Sequence, residues 1–141
     1  MRAEDGRGEK TALKDDVFDR LGISDLGSLI TWVYDKNRTK REIASLASCL
    51  TPERMASDSA AAAIADKAAE ELAFLIKAVL KNPYLEKSEK YPLLLEGGLI
   101  LHNERIKTCF FTILSEDKIP VYPENKKNDA AFGAAFLKAE K

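Results

Sequence analysis

The chain contains 141 residues, 45% of them hydrophobic and 32% charged, which is typical of one folded globular domain and argues against a disordered chain. Its 22 lysines and arginines offset 23 aspartates and glutamates to a formal charge of -1, so no cationic excess favours nucleic acid or an acidic membrane as a partner. No segment approaches the ~18 consecutive apolar residues of a membrane helix, and we therefore expect a cytoplasmic protein without membrane association.

The first half of the chain predicts a series of helices. Thr11 is placed to cap a first helix that Gly22 ends, because glycine readily adopts the left-handed conformation found at helix C-termini. A second, strongly apolar helix opens at Ser24 or Asp25, and we expect its Trp32 to lie in the core.

Two further helices follow. Thr39 stands three residues before Glu42, the capping-box spacing in which each residue satisfies a backbone donor of the other, and Pro52 breaks the helix that begins there. An alanine-rich helix then extends from Asp58 without glycine or proline, which gives it high helix propensity. Its alanine run predicts a close-packed surface. Its apolar stripe comprises Ile64, Ala68, Leu72, Leu75, Ile76 and Val79.

The second half alternates strands and helices. An apolar strand at 92–96 leads into two glycines, a helix follows at 103–114, and a strand at 119–122 precedes a last helix at 129–140. This order implies a right-handed crossover between two parallel strands. Because an isolated parallel pair leaves rows of backbone donors and acceptors unpaired, we expect partner strands from another chain or from a longer parent.

These elements predict an α/β fold class in a single partial domain, 1–141. A helical part occupies about 11–81, and a strand, glycine, helix, strand, helix part occupies about 91–140. Cys49 and Cys109 lie far from each other and from the single histidine, so neither a zinc site nor a disulfide framework is predicted. Both are expected to be buried reduced thiols.

The glycine corner, Gly97 and Gly98, is the main candidate for a ligand site. It brings the free amides of a helix start next to a gap without side chains, at the carboxyl end of a strand, where α/β proteins bind ligands. A nucleotide fits such a place. A tight strand-to-helix turn without any ligand explains the same two residues, and their spacing alone does not choose between these interpretations.

Several segments along nearly the whole chain share their order and spacing with one known family. They are RAEDGRGEKTAL at 2–13, LITWVYD at 29–35, KREIASLA at 40–47, AAEELAFLIKAVL at 68–80, LLLEGGLILHN at 93–103 and FGAAFLKAEK at 132–141. Through them the chain resembles the C-terminal portion of the BadF/BadG/BcrA/BcrD ATPase family, which includes N-acetylglucosamine kinases.

The resemblance implies the fold of sugar kinases, actin and the 70-kilodalton heat-shock proteins, in which two α/β lobes enclose ATP with Mg²⁺. This chain corresponds to part of the second, nucleotide-side lobe. Gly97 and Gly98 match the segment that lies along the adenosine of ATP, with Leu99 and Asn103 as neighbours. Glu96, where the family usually has a small uncharged residue, is able to accept hydrogen bonds from ribose hydroxyls.

The family's phosphate-binding D-x-G-x-T hairpin, its second phosphate loop and its catalytic aspartate have no match in these residues, and no catalytic residue is assigned. We therefore expect a fragment that is inactive alone, with the amino sugar bound by a missing first lobe. The cysteines match no iron-sulfur pattern of the dehydratase-activator branch. Two alternatives stay open: a non-catalytic binding or regulatory module that docks with a separate lobe or dimerises, and a helical interaction protein in which the glycines only make a turn.

Overall fold

The structure, a computed structural model, describes residues 6–124, and the expected C-terminal helix at 129–140 lies outside that range. The described part is a mixed α/β fold that is mostly helical. Its helices are α1 (Leu13–Leu21), α2 (Leu26–Tyr34), α3 (Lys40–Ser45), a 3-10 helix (Leu46–Cys49), α4 (Pro52–Ser57), α5 (Ser59–Leu80), α6 (Gly98–His102) and α7 (Glu104–Glu116), and its strands are β1 (Tyr91–Leu93) and β2 (Val121–Pro123).

Two of the three expected ends of the first two helices are confirmed, whereas the first helix is capped at Ala12 rather than at Thr11. Thr11 accepts a hydrogen bond on Oγ1 from the backbone N–H of Leu13 at 3.1 Å, although the cap position itself falls one residue later. Gly22 ends α1 in the left-handed conformation, with φ 64°. Of the two expected caps of α2, Asp25 is used, because its carboxylate accepts from the backbone N–H of Ser28 at 2.9 Å.

The prediction that Trp32 belongs to the core is wrong. The indole is half-buried at the surface, and the guanidinium of Arg38 lies over its ring at 4.1 Å from the centroid. Arg38 also donates through Nε to the Trp32 carbonyl at 3.1 Å. A cation-π contact thus covers one face of a ring that the helix does not bury.

The capping box of α3 is confirmed. The α-helix that follows it, α4, was not predicted. The backbone N–H of Thr39 donates to Glu42 at 2.8 Å, and that of Glu42 donates to the Thr39 hydroxyl at 3.2 Å. Hydrogen bonds from the Thr39 backbone, its hydroxyl and Arg38 lower the pKa of Glu42 to about 2. Pro52 begins α4, since Thr51 caps this helix and proline suits a first helical position.

The most deeply buried stripe of the long helix α5 is not the one predicted, although Ala68, Leu72 and Ile76 of the predicted stripe are half-buried and pack against the core. The large side chains Ile64, Leu75 and Val79 are 48%, 57% and 58% exposed. The residues with no exposed surface are the alanines Ala61, Ala65, Ala69 and Ala73. Of the alanine run at 60–63, Ala61 alone is buried, so the close-packed surface expected of that run is formed mainly by later alanines at four-residue spacing, beside the predicted stripe.

The core forms where these alanines meet α7 and the strands. Because alanine has no side chain beyond Cβ, the α5 backbone approaches α7 closely, and Phe110 fills much of the space between them. Arg105 of α7 donates two hydrogen bonds to Asp66 of α5, at 2.8 and 2.7 Å. The other core residues are Met55, Leu93, Ile100, Ile106 and Leu114.

The two strands pair in parallel, as predicted, but they are short. Tyr91 lies opposite Val121, and Leu93 lies opposite Pro123. The backbone N–H of Tyr91 donates to the carbonyl of Pro120 at 2.8 Å. The first strand therefore ends at Leu93, short of the predicted boundary. Within residues 6–124 the sheet contains these two strands alone, and the expected partner strands stay a prediction.

Candidate functional site

The glycine corner is a backbone structure that requires glycine at its first position. Gly97 has φ 104° and ψ 141°, a region that residues with a Cβ rarely occupy. Gly98 begins α6, and the carbonyl of Gly97 accepts from the backbone N–H of Leu101 at 3.2 Å. The chain thus turns from the segment after β1 directly into a helix.

The corner is open on the side where side chains would project. A Cβ built on Gly97 meets no atom within 4 Å, and one on Gly98 meets only Cδ2 of His102 at 3.9 Å. Both glycines are exposed. A flat ligand is therefore able to approach the main chain here, which is the property that the binding interpretation requires.

The helix that follows the corner is short. α6 has five residues, so its macrodipole is small and contributes little to holding an anion. The sequence predicts one helix after the glycines, starting near Asn103. The structure has a separate helix before it, α6, whose last residue is the exposed His102. The corner consequently suits the uncharged end of a ligand better than its phosphates.

Of the residues that flank the two glycines, one is buried in the core and two are exposed. Ile100 is buried in the core and holds α6 in place. Leu99 is 39% exposed and offers an apolar surface next to the glycines. Glu96 is exposed, where its carboxylate is able to accept hydrogen bonds from hydroxyl groups.

Asn103 is confirmed as a helix cap. Its side-chain oxygen accepts from the backbone N–H of Ile106 at 3.1 Å. Its Nδ2 donates to the carbonyl of Leu50 at 3.2 Å. The amide thus links the start of α7 to the helical part.

Neither thiol is activated. Cys49 is buried, as expected, while Cys109 is only half-buried, and burial raises the pKa of both. A raised thiol pKa leaves little thiolate for nucleophilic or redox chemistry at neutral pH. Across residues 6–124 no group of three or more His, Cys, Asp or Glu side chains is arranged to hold a metal ion.

A cavity of about 700 Å³ lies away from the glycine corner, and no sequence pattern predicts it. It runs between the first two helices and the start of α5. We call it the α1–α2 groove, and its apolar lining is Leu13, Val17, Leu26, Leu29, Ala63 and Ile64. The rim carries charged and hydroxyl side chains, among them Glu9 and Ser59, which hydrogen-bond to each other at 2.6 Å.

The described helices include none that is both long and apolar enough to cross a membrane. No family model and no solved structure matches the chain. Two curated proteins are similar to it. An N-acetylmuramic acid/N-acetylglucosamine kinase of Clostridium acetobutylicum is 32% identical over 137 residues, which cover 97% of this chain and 44% of that protein. An N-acetyl-D-glucosamine kinase of Dictyostelium discoideum is 32% identical over 142 residues, which cover 97% of this chain and 43% of that protein.

The chain therefore spans less than half the length of the curated relatives that it matches. Their names support a relationship to N-acetylglucosamine kinases. The match to both runs along nearly the whole chain, through the helical part as well as the glycine corner.

Proposed function

We propose that this chain is the nucleotide-side, C-terminal part of a cytoplasmic ATP-dependent N-acetylglucosamine kinase of the BadF/BadG/BcrA/BcrD type, folded as one partial domain of the actin-like ATPase class. One observation carries the proposal: the side-chain-free corner at Gly97 and Gly98 is open in a chain that is similar to two curated N-acetylglucosamine kinases over 97% of its length.

The proposed ligand is ATP, with its adenosine resting on the glycine corner. Gly97 and Gly98 leave room for a flat base against the backbone, and the exposed Leu99 supplies apolar contact beside it. Glu96 accepts hydrogen bonds from the ribose hydroxyls. Asn103 keeps the corner in place through its bonds to α7 and Leu50.

The phosphates, Mg²⁺ and the amino sugar are proposed to bind residues outside this chain. The described residues hold no cluster of carboxylates suited to a metal, and the sequence has no D-x-G-x-T phosphate hairpin. Phosphoryl transfer depends mainly on positioning, Mg²⁺ and charge stabilisation of the moving group. The chain alone is therefore expected to bind nucleotide weakly and to leave N-acetylglucosamine unphosphorylated.

The test is a titration of the purified chain with ATP or ADP in the presence of Mg²⁺, followed by the backbone amide signals. Gly97, Gly98 and Leu99 are expected to shift and to saturate with a Kd of about 1 mM, equivalent to about -4 kcal/mol, because half of the enclosing site is absent. Signals of the exposed loop residue Tyr84 should stay unchanged.

A matched pair of variants separates binding from folding. Gly98→Val introduces a branched side chain where the base is proposed to lie, and should abolish the amide shifts. Ala78→Val makes the same kind of change on an exposed position of α5 and should leave them intact. Absence of shifts in the wild-type chain, or unaltered shifts in folded Gly98→Val, would reject the site and favour the interpretation of the corner as a turn.

A further inference from the structure

The apolar face of α2 takes no part in the proposed nucleotide site. This helix, Leu26–Tyr34, has no charged residue, yet none of its side chains is buried. A helix of such apolar composition is normally covered by neighbouring elements. Helical spacing places Leu26, Leu29, Ile30 and Val33 on one face, and Ile30 and Val33 remain 37% and 38% exposed.

The same face opens into the α1–α2 groove. Leu26 and Leu29 form one wall of it, and α1 and the start of α5 form the others. Ile64, on the α5 wall, is 48% exposed. The groove and the α2 face are thus one continuous apolar surface made by three helices.

We propose that this surface is covered by an apolar segment of the kinase polypeptide that the curated relatives possess outside the matched region. The inference rests on the proposed function. More than half of each relative lies outside the match, while 97% of this chain lies within it. Additional polypeptide of that length would bury apolar surface by packing against this part, and an uncharged, uncovered helix is suited to receive it.

The shape of the surface argues against a second copy as the occupant. Two copies of a concave groove placed face to face would leave the space between them unfilled, contrary to the close packing of stable interfaces.

The test is co-expression of the full chain with a tagged segment of the Clostridium acetobutylicum kinase, namely the part outside the match. The untagged chain is expected to co-purify with the segment. Ile64→Asp and Val33→Asp should each lower its recovery at least tenfold, because a carboxylate would be buried in an apolar interface. Both positions are exposed in the chain alone, so both variants should retain its circular dichroism and melting temperature.

Phe74→Asp is the matched control. Phe74 is an apolar residue of the same helix and is 63% exposed, and it lies ten residues beyond Ile64, about 15 Å along the helix axis at ~1.5 Å per residue. Its substitution should leave recovery unchanged. The proposal is overturned if the wild-type chain does not co-purify, if Ile64→Asp or Val33→Asp co-purifies normally, or if Phe74→Asp lowers recovery as much as they do.

Two results separate the remaining explanations. A wild-type chain that sediments as a dimer, and that Ile64→Asp converts to a monomer, would identify a second copy as the occupant and overturn the proposal. Co-purification through the groove without nucleotide-induced shifts at Gly97 and Gly98 would reject the proposed nucleotide site and leave the docking surface standing. Nucleotide-induced shifts without co-purification would reject the docking surface and leave the proposed nucleotide site standing.

Discussion

At the scale of single residues, Gly97 shows how one backbone conformation defines the candidate site. Its φ of 104° excludes most side chains, although the space around it is empty. The neighbouring Gly98 has ordinary helical surroundings, and a Cβ there makes only van der Waals contact with His102. The first position therefore requires glycine for its conformation, whereas at the second we propose that glycine leaves room for a ligand.

Alanine substitutions should separate these two reasons. Gly97→Ala is expected to destabilise the chain by about 1 kcal/mol or more, because a Cβ is strained at this φ. Gly98→Ala should change stability by less than about 0.5 kcal/mol, since its site is exposed and unstrained. Urea unfolding of both variants measures the difference. Equal effects would show that strain does not distinguish the two positions.

Asp58 is a residue whose importance the sequence only partly indicates. It was predicted to begin the alanine-rich helix, and its Oδ1 does accept from the backbone N–H groups of Ala60 and Ala61 at 3.0 and 3.1 Å. Its other oxygen accepts from the Thr11 hydroxyl at 2.7 Å and the Ala12 backbone at 2.8 Å. One buried carboxylate thus joins the start of α5 to the segment that precedes α1.

Asp58→Asn should therefore cost more than loss of an ordinary helix cap. An amide provides one acceptor oxygen instead of two, so either the helix cap or the bonds to Thr11 and Ala12 are lost. We expect a destabilisation of roughly 2 kcal/mol, measured by urea unfolding. Asp25→Asn at the exposed cap of α2 is the control and should cost less than about 1 kcal/mol. If both variants lost a similar amount of unfolding free energy, Asp58 would act as a helix cap alone, without a stabilising tertiary role.

At the scale of elements, the alanine stripe of α5 sets the distance to α7. Four alanines with no exposed surface leave no room for larger side chains between the two helices. Among the large residues of α5, Leu72 and Ile76 are half-buried against the core. The exposed ones are Ile64, Phe74, Leu75 and Val79. Periodicity alone does not decide which of two neighbouring apolar faces is buried, because the partner helix makes that choice.

Ala69→Leu tests this packing. Inserting the larger side chain should destabilise the chain by roughly 1–3 kcal/mol through overpacking against α7. Ala78→Leu, an equal change at an exposed position of α5, should be neutral within about 0.5 kcal/mol. Thermal unfolding followed by circular dichroism compares them. A neutral Ala69→Leu would mean that the α5–α7 contact is looser than the structure shows.

Local signals in the sequence predicted the ends of helices better than they predicted which side chains pack in the core. The capping box of Thr39 and Glu42, the left-handed Gly22 and the cap at Asn103 were all predicted, because the interacting atoms lie within four residues. The half-buried position of Trp32 was not, since Arg38 covers it from beyond the helix end. α4 and α6 escaped prediction because helices of six and five residues are too short to show a periodic pattern.

At the scale of the whole molecule, carboxylates with tertiary partners tie distant elements together. Hydrogen bonds from these partners lower the pKa of three aspartates below the ordinary value of 3.8. The pairs are Asp16 with Arg54, Asp58 with Thr11, and Asp66 with Arg105.

The direction of these shifts predicts acid sensitivity. A carboxyl whose pKa is lower in the folded state stabilises the fold above its unfolded pKa, and this stabilisation is lost as the pH falls through the folded pKa. The urea midpoint should therefore decline between about pH 5 and pH 2. A double variant, Asp58→Asn with Asp66→Asn, should be less stable at pH 7 and decline less steeply. An equally steep decline would place the acid-sensitive groups elsewhere.

The position of the candidate site along the chain could be predicted from the sequence, but its three-dimensional geometry could not. Gly97 and Gly98 stood out because two glycines follow an apolar strand. That the corner is open, that α6 is too short for a strong dipole, and that a groove lies between α1 and α2 depend on contacts between distant segments. The nucleotide roles of all five candidate residues stay predictions: Glu96, Gly97, Gly98, Leu99 and Asn103.

The bond from Asn103 to the Leu50 carbonyl has a mechanical consequence. The same side chain also caps the first turn of α7. The segment that carries the two glycines is therefore hydrogen-bonded to the helices before it. A lobe that closes over a nucleotide would carry both as one rigid piece. The hinge for such a closing motion would have to lie outside the stretch between Leu50 and Asn103.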